Sequence, residues 1–168
     1  DSVGRLWTGQ PCIAPATAAG IMRLLPDDLS GKNVCMIGRS NLVGKPLVKL
    51  LEERNATVTL CHSKSGNLHP LTFAADIIIT AIGKAKYFDS DYIHYSYDEF
   101  FHEFLTDNHQ TWIDVGINRD ENGKLCGDID LEAFKDTGCE ITPVPKGVGL
   151  LTTAQLVLNV IAAYYLQN

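Results

Sequence analysis

The stretch Val34-Cys-Met-Ile-Gly-Arg-Ser-Asn-Leu-Val-Gly-Lys-Pro46 reads as a buried strand, a glycine turn and the start of a helix. Residues 34–37 are apolar and suit a strand. Gly38 makes a sharp turn where a side chain would block a ligand, Ser40 is a helix-capping residue, and Gly44 lets the helix lie close to the sheet. Pro46 is tolerated in a first turn, where no amide donor is needed. Such a turn is a phosphate cradle, because helix N-termini present free amides and a positive dipole end. Its spacing is Gly-x-Ser-x-x-Val-Gly rather than Gly-x-Gly-x-x-Gly, so its meaning depends on the loops around it.

Working outward, strands are expected at 33–37, 57–61, 76–82, 111–115 and 140–142. Helices are expected between them, the one after the glycine turn carrying Val43, Leu47, Leu50 and Leu51 at helical spacing. Alternating strands and helices imply a parallel sheet with right-handed crossovers, an α/β doubly wound architecture. The run Ile77-Ile-Ile-Thr-Ala-Ile82 suits a strand buried on both faces. Thr17 is a candidate N-cap for a helix through Ile21, Leu24 and Leu25. A short helix or turn is expected at 67–74, a hairpin pairing 124–126 across the turn 120–123, and a helical segment within 128–134. Tyr97, Phe100, Phe101, Phe104 and Leu105 fall at i, i+3, i+4, i+7 and i+8, the pattern of one helix face. A final helix is expected from Thr152, with Gln155 completing a capping box. Its body is apolar on nearly every side and needs cover on all faces.

The 168 residues suit one domain with a real core, and 45% hydrophobic with 20% charged residues is ordinary globular composition. A net charge of -6 argues against a nucleic-acid surface. No apolar run appears long enough to span a bilayer, so no membrane partner is expected, and with no secretory leader pattern the expected location is cytoplasmic. Five widely spaced cysteines, Cys12, Cys35, Cys61, Cys126 and Cys139, contain no Cys-x-x-Cys. They read as reduced core residues. The five histidines show no metal spacing, so no metal is expected. The chain opens at Asp1 in mid-pattern, as a fragment does.

In a parallel sheet, ligands bind beyond the carboxyl ends of the strands. The corresponding loops are 38–44, 61–66, 83–86, 116–119 and 143–149. Domains that choose NAD place a carboxylate near the end of the second strand; here that position reads Cys61-His-Ser-Lys-Ser65. Arg39 can swing towards the same ribose, and with Ser63, His62 and Lys64 it makes a cationic, donor-rich pocket. That composition suits the 2′-phosphate of NADP. Asp114, Asp128 and Asp130 sit near strand ends, where capping and turn geometry account for them.

Several stretches together resemble the bifunctional methylenetetrahydrofolate dehydrogenase/cyclohydrolase family: Gly38-Arg-Ser-Asn-Leu-Val-Gly-Lys-Pro46, Ala56-Thr-Val-Thr-Leu-Cys-His-Ser63, Ala75-Asp-Ile-Ile-Ile-Thr-Ala-Ile-Gly83, Ile113-Asp-Val-Gly-Ile-Asn118, Gly127-Asp-Ile-Asp130 and Ile141-Thr-Pro-Val-Pro-Lys-Gly-Val-Gly149 with Thr152. The match runs in order along nearly the whole chain. The resemblance implies a Rossmann-type NADP domain. Gly38, Arg39 and Ser40 would hold the cofactor phosphates, Ser63 the 2′-phosphate side and Ile117 the nicotinamide end; Thr17, Gly83 and Thr152 complete the implied cofactor set. It also implies oxidation of 5,10-methylenetetrahydrofolate with NADP⁺, hydrolysis of the methenyl product to 10-formyltetrahydrofolate, a tetrahydrofolate derivative as substrate, and a homodimer.

The chain departs from the family in three places. Lys146 stands where the family has Gly, an unfavourable exchange where φ is positive, and Leu150-Leu151 replaces Pro-Met. Pro15-Ala-Thr-Ala-Ala-Gly20 carries alanines for a Cys and a Pro. Segment 84–110 is longer than usual. The family's Tyr-x-x-x-Lys pair, Gln and Asp lie in a half that precedes this domain. No tyrosine of this chain has a lysine four residues on, so no catalytic residue is expected in it. The implied division is a connector and helix at 1–30, the NADP-binding domain at 31–150 and a terminal helix at 151–168 that packs on the preceding half. Two other readings share these features: a dehydrogenase of another small molecule, and a non-catalytic nucleotide-binding module.

Overall fold

Apolar residues 34–37 lie in an inner strand of a five-stranded sheet. The computed structural model describes residues 2–93, 96–98, 103–105 and 109–167. Strands β1 (Asn33–Ile37), β2 (Thr57–Cys61), β3 (Ile77–Thr80), β6 (Thr111–Asp114) and β9 (Glu140–Ile141) lie in the order β2-β1-β3-β6-β9, every pair parallel. Between them run α3 (Gly44–Glu53) and α4 (His69–Phe73), with α1 (Ser2–Trp7) and α2 (Ala16–Met22) before the sheet and α5 (Val148–Gln167) after it. The parallel α/β architecture read from the sequence is the one observed.

Alternation along the strands builds two cores. Val34, Met36, Ile77, Ile79 and Ile113 point to the side covered by Ala18, Ile21 and Met22 of α2 and Leu47 and Leu51 of α3. Cys35, Ile37, Ile78 and Trp112 point to the other side, which Phe88, Ile93, Ile129 and Phe134 cover with little help from helices. Phe88 and Trp112 are fully buried, 6.1 Å apart between ring centroids. All five cysteines are free thiols. Burial pushes the Cys35 thiol well above its ordinary range and raises that of Cys61, so neither is a reactive thiolate.

Several expected elements differ. Residues 96–98 and 103–105 are not one helix but two short strands, β4 (Ser96–Asp98) and β5 (Glu103–Leu105), paired antiparallel with Tyr97 opposite Phe104. Phe100 and Phe101 lie outside the described residues. Aromatic-rich runs favour strands, and a short apolar run does not separate the two periods. Residues 131–136 form consecutive turns rather than a helix. The hairpin is present as β7 (Asn118–Arg119) against β8 (Leu125–Cys126). Thr17 lies inside α2, whose N-cap position is Pro15 with no side-chain cap.

The last helix begins at Val148, not Thr152. The capping box is not formed: Thr152 Oγ1 donates to the Val148 carbonyl, and Gln155 Oε1 accepts from Arg23 Nε at 2.8 Å. Polar Thr152, Gln155 and Asn159 face α2, with Asn159 Nδ2 donating to Ala14 O at 2.9 Å. Leu156, Val157, Val160, Ile161, Tyr164 and Tyr165 are exposed. The helix therefore turns its polar stripe inward and its apolar faces outward. By length and composition alone, Val148–Leu166 is long and apolar enough to cross a membrane, which corrects the expectation that no such run exists.

Candidate functional site

The turn after β1 is shaped by two close approaches. Gly38 has φ 130°, and a Cβ there would run into the Ala81 carbonyl; a Cβ on Gly44 would run into the carbonyl of Gly38. Between them, Ser40 Oγ accepts from the amides of Val43 at 3.0 Å and Gly44 at 3.4 Å. Ser40 therefore closes the turn ahead of the helix rather than capping it, since the N-cap position of α3 is Val43, with no side-chain cap. The Gly38 amide donates to Cys61 O and the Ala81 amide to Ile37 O, locking the ends of β2, β1 and β3 together.

At the end of β2, His62 N donates to Ser65 Oγ at 2.9 Å and Lys64 N to His62 Nδ1 at 3.1 Å. His62 and Ser65 thus build the turn. Ser63 is left exposed on a cavity of about 270 Å³, which Gly38, Arg39, His62, Ala81, Ile82, Lys84 and Tyr87 also line. No carboxylate lines this cavity, and neither Arg39 nor Lys84 has an ion-pair partner among the described residues. A larger open groove, about 700 Å³, lies between α2, α3 and α5. Its Arg54 is already spent on Asp27 and on the carbonyls of Met22, Leu25 and Pro26. The smaller cavity is the better site, since it sits at the strand ends with its cations unengaged.

The loop after β3 is held by one buried carboxylate. Asp128 accepts from the amides of Ile82 (2.7 Å), Gly83 (3.3 Å) and Lys84 (2.9 Å) and from Asn118 Nδ2 (2.9 Å). Asp114, also buried, accepts from the amides of Gly116, Asp128 and Ile129 at 2.8–3.0 Å. Burial pushes its carboxyl above the ordinary range, with the three amides pulling the other way. Both aspartates thus serve turn geometry, as read from the sequence. Lys84 Nζ lies 4.9 Å from the centroid of the Tyr87 ring.

Of the residues singled out from sequence, Gly38, Arg39 and Ser63 line the one cavity, Ser40 shapes its turn, and Gly83 lies between two lining residues, Ile82 and Lys84. Ile117, 70% exposed, lies instead on a second, apolar cavity of about 170 Å³ with Pro143, Val144 and Lys146. Thr17 and Thr152 lie elsewhere, on facing sides of α2 and α5 with their hydroxyls 3.4 Å apart. Lys84 and Tyr87 were not singled out individually. Their signal was position, directly after the glycine that ends a strand beside β1.

Lys146 occupies φ 83°, a conformation in which a side chain is strained. Lys146→Gly is expected to stabilise the domain by about 1 kcal/mol, strain relief outweighing the entropy of a new glycine. Urea unfolding of the two chains reads this directly, and a loss of stability would show that the lysine side chain is held by contacts that outweigh the strain.

A parallel sheet with a glycine turn after an inner strand, an adjoining helix and a cationic cavity at the strand ends defines a dinucleotide-binding domain. The chain belongs to the tetrahydrofolate dehydrogenase/cyclohydrolase family, as its NAD(P)-binding domain, the family's model matching residues 15–168. The bifunctional protein FolD of Streptococcus pneumoniae is 48% identical over 158 residues, covering 92% of this chain and 51% of that protein. The structure of the bifunctional FolD methylenetetrahydrofolate dehydrogenase/cyclohydrolase from Campylobacter jejuni matches with a TM-score of 0.84 and 37% identity, over 99% of this chain and 56% of that one. That of the Trypanosoma brucei enzyme, complexed with NADP cofactor and an inhibitor, matches at 0.75 and 29% identity, over 95% and 54%. The chain spans about half the length of the curated relatives it matches.

Proposed function

We propose that these residues are the NADP-binding part of a methylenetetrahydrofolate dehydrogenase/cyclohydrolase. The whole protein oxidises 5,10-methylenetetrahydrofolate to the 5,10-methenyl form with NADP⁺ and hydrolyses that product to 10-formyltetrahydrofolate. The observation that carries this reading is the carboxylate-free cavity, with Arg39 and Ser63 beside the Gly38 turn. The amides of the turn 39–42, ahead of those that Ser40 already engages, suit the pyrophosphate. Arg39 and Ser63 suit the 2′-phosphate, and Ile117 offers an apolar surface to the nicotinamide. The cofactor, when bound, supplies the hydride acceptor; the protein's part is to bind and orient it. The outward apolar face of α5 supports a reading in which the folate-binding half of the protein packs there.

The test is a calorimetric titration of the 168-residue chain with NADP⁺ and NAD⁺, followed by an assay with methylenetetrahydrofolate. We expect NADP⁺ to bind more tightly than NAD⁺ by roughly tenfold or more. We expect no NADPH to accumulate, since the sequence holds no Tyr-x-x-x-Lys pair. Tighter binding of NAD⁺ would overturn the cofactor choice, and full-rate NADPH formation would overturn the division of labour.

A further inference from the structure

We infer that Lys84 is a second reader of the cofactor's 2′-phosphate, acting with Arg39 and Ser63 on the same cavity, an inference that rests on the NADP reading above. Three observations carry it. Lys84 is fixed at both ends: its amide donates to Asp128 Oδ1 at 2.9 Å, and its ammonium lies 4.9 Å from the Tyr87 ring centroid. It is unpaired among the described residues, whereas Lys86, two residues on, is 3.6 Å from Asp130, and Lys32 and Lys49 have carboxylate partners. Finally, the cavity that it lines with Arg39 and Ser63 contains no carboxylate. Two uncompensated cations on one small cavity repel each other, and a doubly charged phosphate between them removes that cost.

The position of Lys84 selects the 2′-phosphate over the pyrophosphate. The pyrophosphate belongs with the amides of the turn 39–42. Gly38 and Arg39 of that turn border the cavity of Lys84, but its other polar lining is His62 and Ser63, at the end of β2, where the adenosine ribose is read. The division of labour is chemically sensible. Arg39 brings a planar fork that binds two phosphate oxygens, and Lys84 a compact point charge that adapts to a third. The cation–π contact with Tyr87 is weak at an exposed site, enough to orient the ammonium and too little to withhold it from a phosphate.

The test uses Lys84→Gln and Lys84→Arg in the full chain, titrated with NADP⁺, NAD⁺, adenosine 2′,5′-bisphosphate and adenosine 5′-monophosphate. Glutamine keeps the amide that Asp128 holds, and the side chain is exposed, so an unchanged Tm is expected. Lys84→Gln should weaken NADP⁺ and the bisphosphate by roughly tenfold, leaving NAD⁺ and the monophosphate within about twofold. Lys84→Arg should restore most of the loss. Lys64→Gln, which removes the same charge next to Ser63 but outside the cavity lining, should cost much less. Equal losses for NADP⁺ and NAD⁺, no loss at all, or an equal loss from Lys64→Gln would each overturn the assignment. Failure of the unaltered chain to bind either dinucleotide would overturn the cofactor reading itself, and Lys84 with it.

Discussion

Asp128→Ala is expected to destabilise the domain by about 3 kcal/mol or more and to weaken dinucleotide binding in whatever stays folded. Asp128 is fully buried. Its two oxygens accept from three successive amides, Ile82, Gly83 and Lys84, and from the Asn118 side chain. Alanine leaves four partly buried donors with no acceptor, each costing about 1 kcal/mol or more where water does not reach it. The consequence is also geometric. Those amides set the path of the loop after β3, with Gly83 at φ 67° and two neighbours lining the cavity, so a released loop loses its fit to a ligand. Asp128→Asn should fall between, since one oxygen remains and the new amide group points donors at donors. Urea denaturation gives the stability change, and titration of each variant with NADP⁺ gives the binding change. A loss below about 1 kcal/mol for alanine would mean that water or the loop itself satisfies those amides.

The central architecture was open to sequence reading because periodicity and punctuation agreed there. Val34–Ile37, Gly38 and Gly44 each have one local role, and each fills it. The parallel order followed from alternation, since buried runs such as Ile77-Ile-Ile need helices or loops on both sides. What was not legible depended on tertiary context. The pairing of 96–98 with 103–105 competes with a helical pattern over the same aromatics. The inward polar stripe of α5 exists because the Ala14 carbonyl, just before α2, and Arg23, just after it, wait there, partners more than a hundred residues away. The same limit applied to the site. Sequence brought Arg39 and Ser63 together through a fold rule, and the structure sets both on one cavity. The family resemblance added Thr17, Thr152 and Ile117 elsewhere in the cofactor set; Ile117 lies on a separate apolar cavity, and the two threonines face each other across α2 and α5. Lys84 went unsingled because its environment, the Asp128 anchor and the Tyr87 ring, assembles only when the loops after β3 and β8 meet.

Arg39→Ala is expected to weaken NADP⁺ binding by about 2 kcal/mol, some thirtyfold, while leaving NAD⁺ nearly unchanged. Arg39 follows Gly38 directly, so its backbone is fixed by the tight packing of that turn under Ala81. Its guanidinium borders the cavity with no carboxylate partner among the described residues. An arginine in that position gives a bidentate, charge-assisted contact to a phosphate, and NAD⁺ has no phosphate at the 2′ position to receive it. Since the side chain is exposed, part of the effect is screened, and the gap between the two cofactors should shrink as salt is raised. Arg39→Lys should recover the charge without the fork and land between the two. Removing Arg39 and Lys84 together separates their roles. If both contact one phosphate, the double variant should lose less than the summed single losses, because the second removal acts on an already loosened group. Equal weakening of NADP⁺ and NAD⁺ by Arg39→Ala would move the guanidinium to the pyrophosphate. The choice between cofactors would then rest on Ser63 and Lys84 alone, and the absence of a carboxylate at the end of β2 would permit NADP without enforcing it.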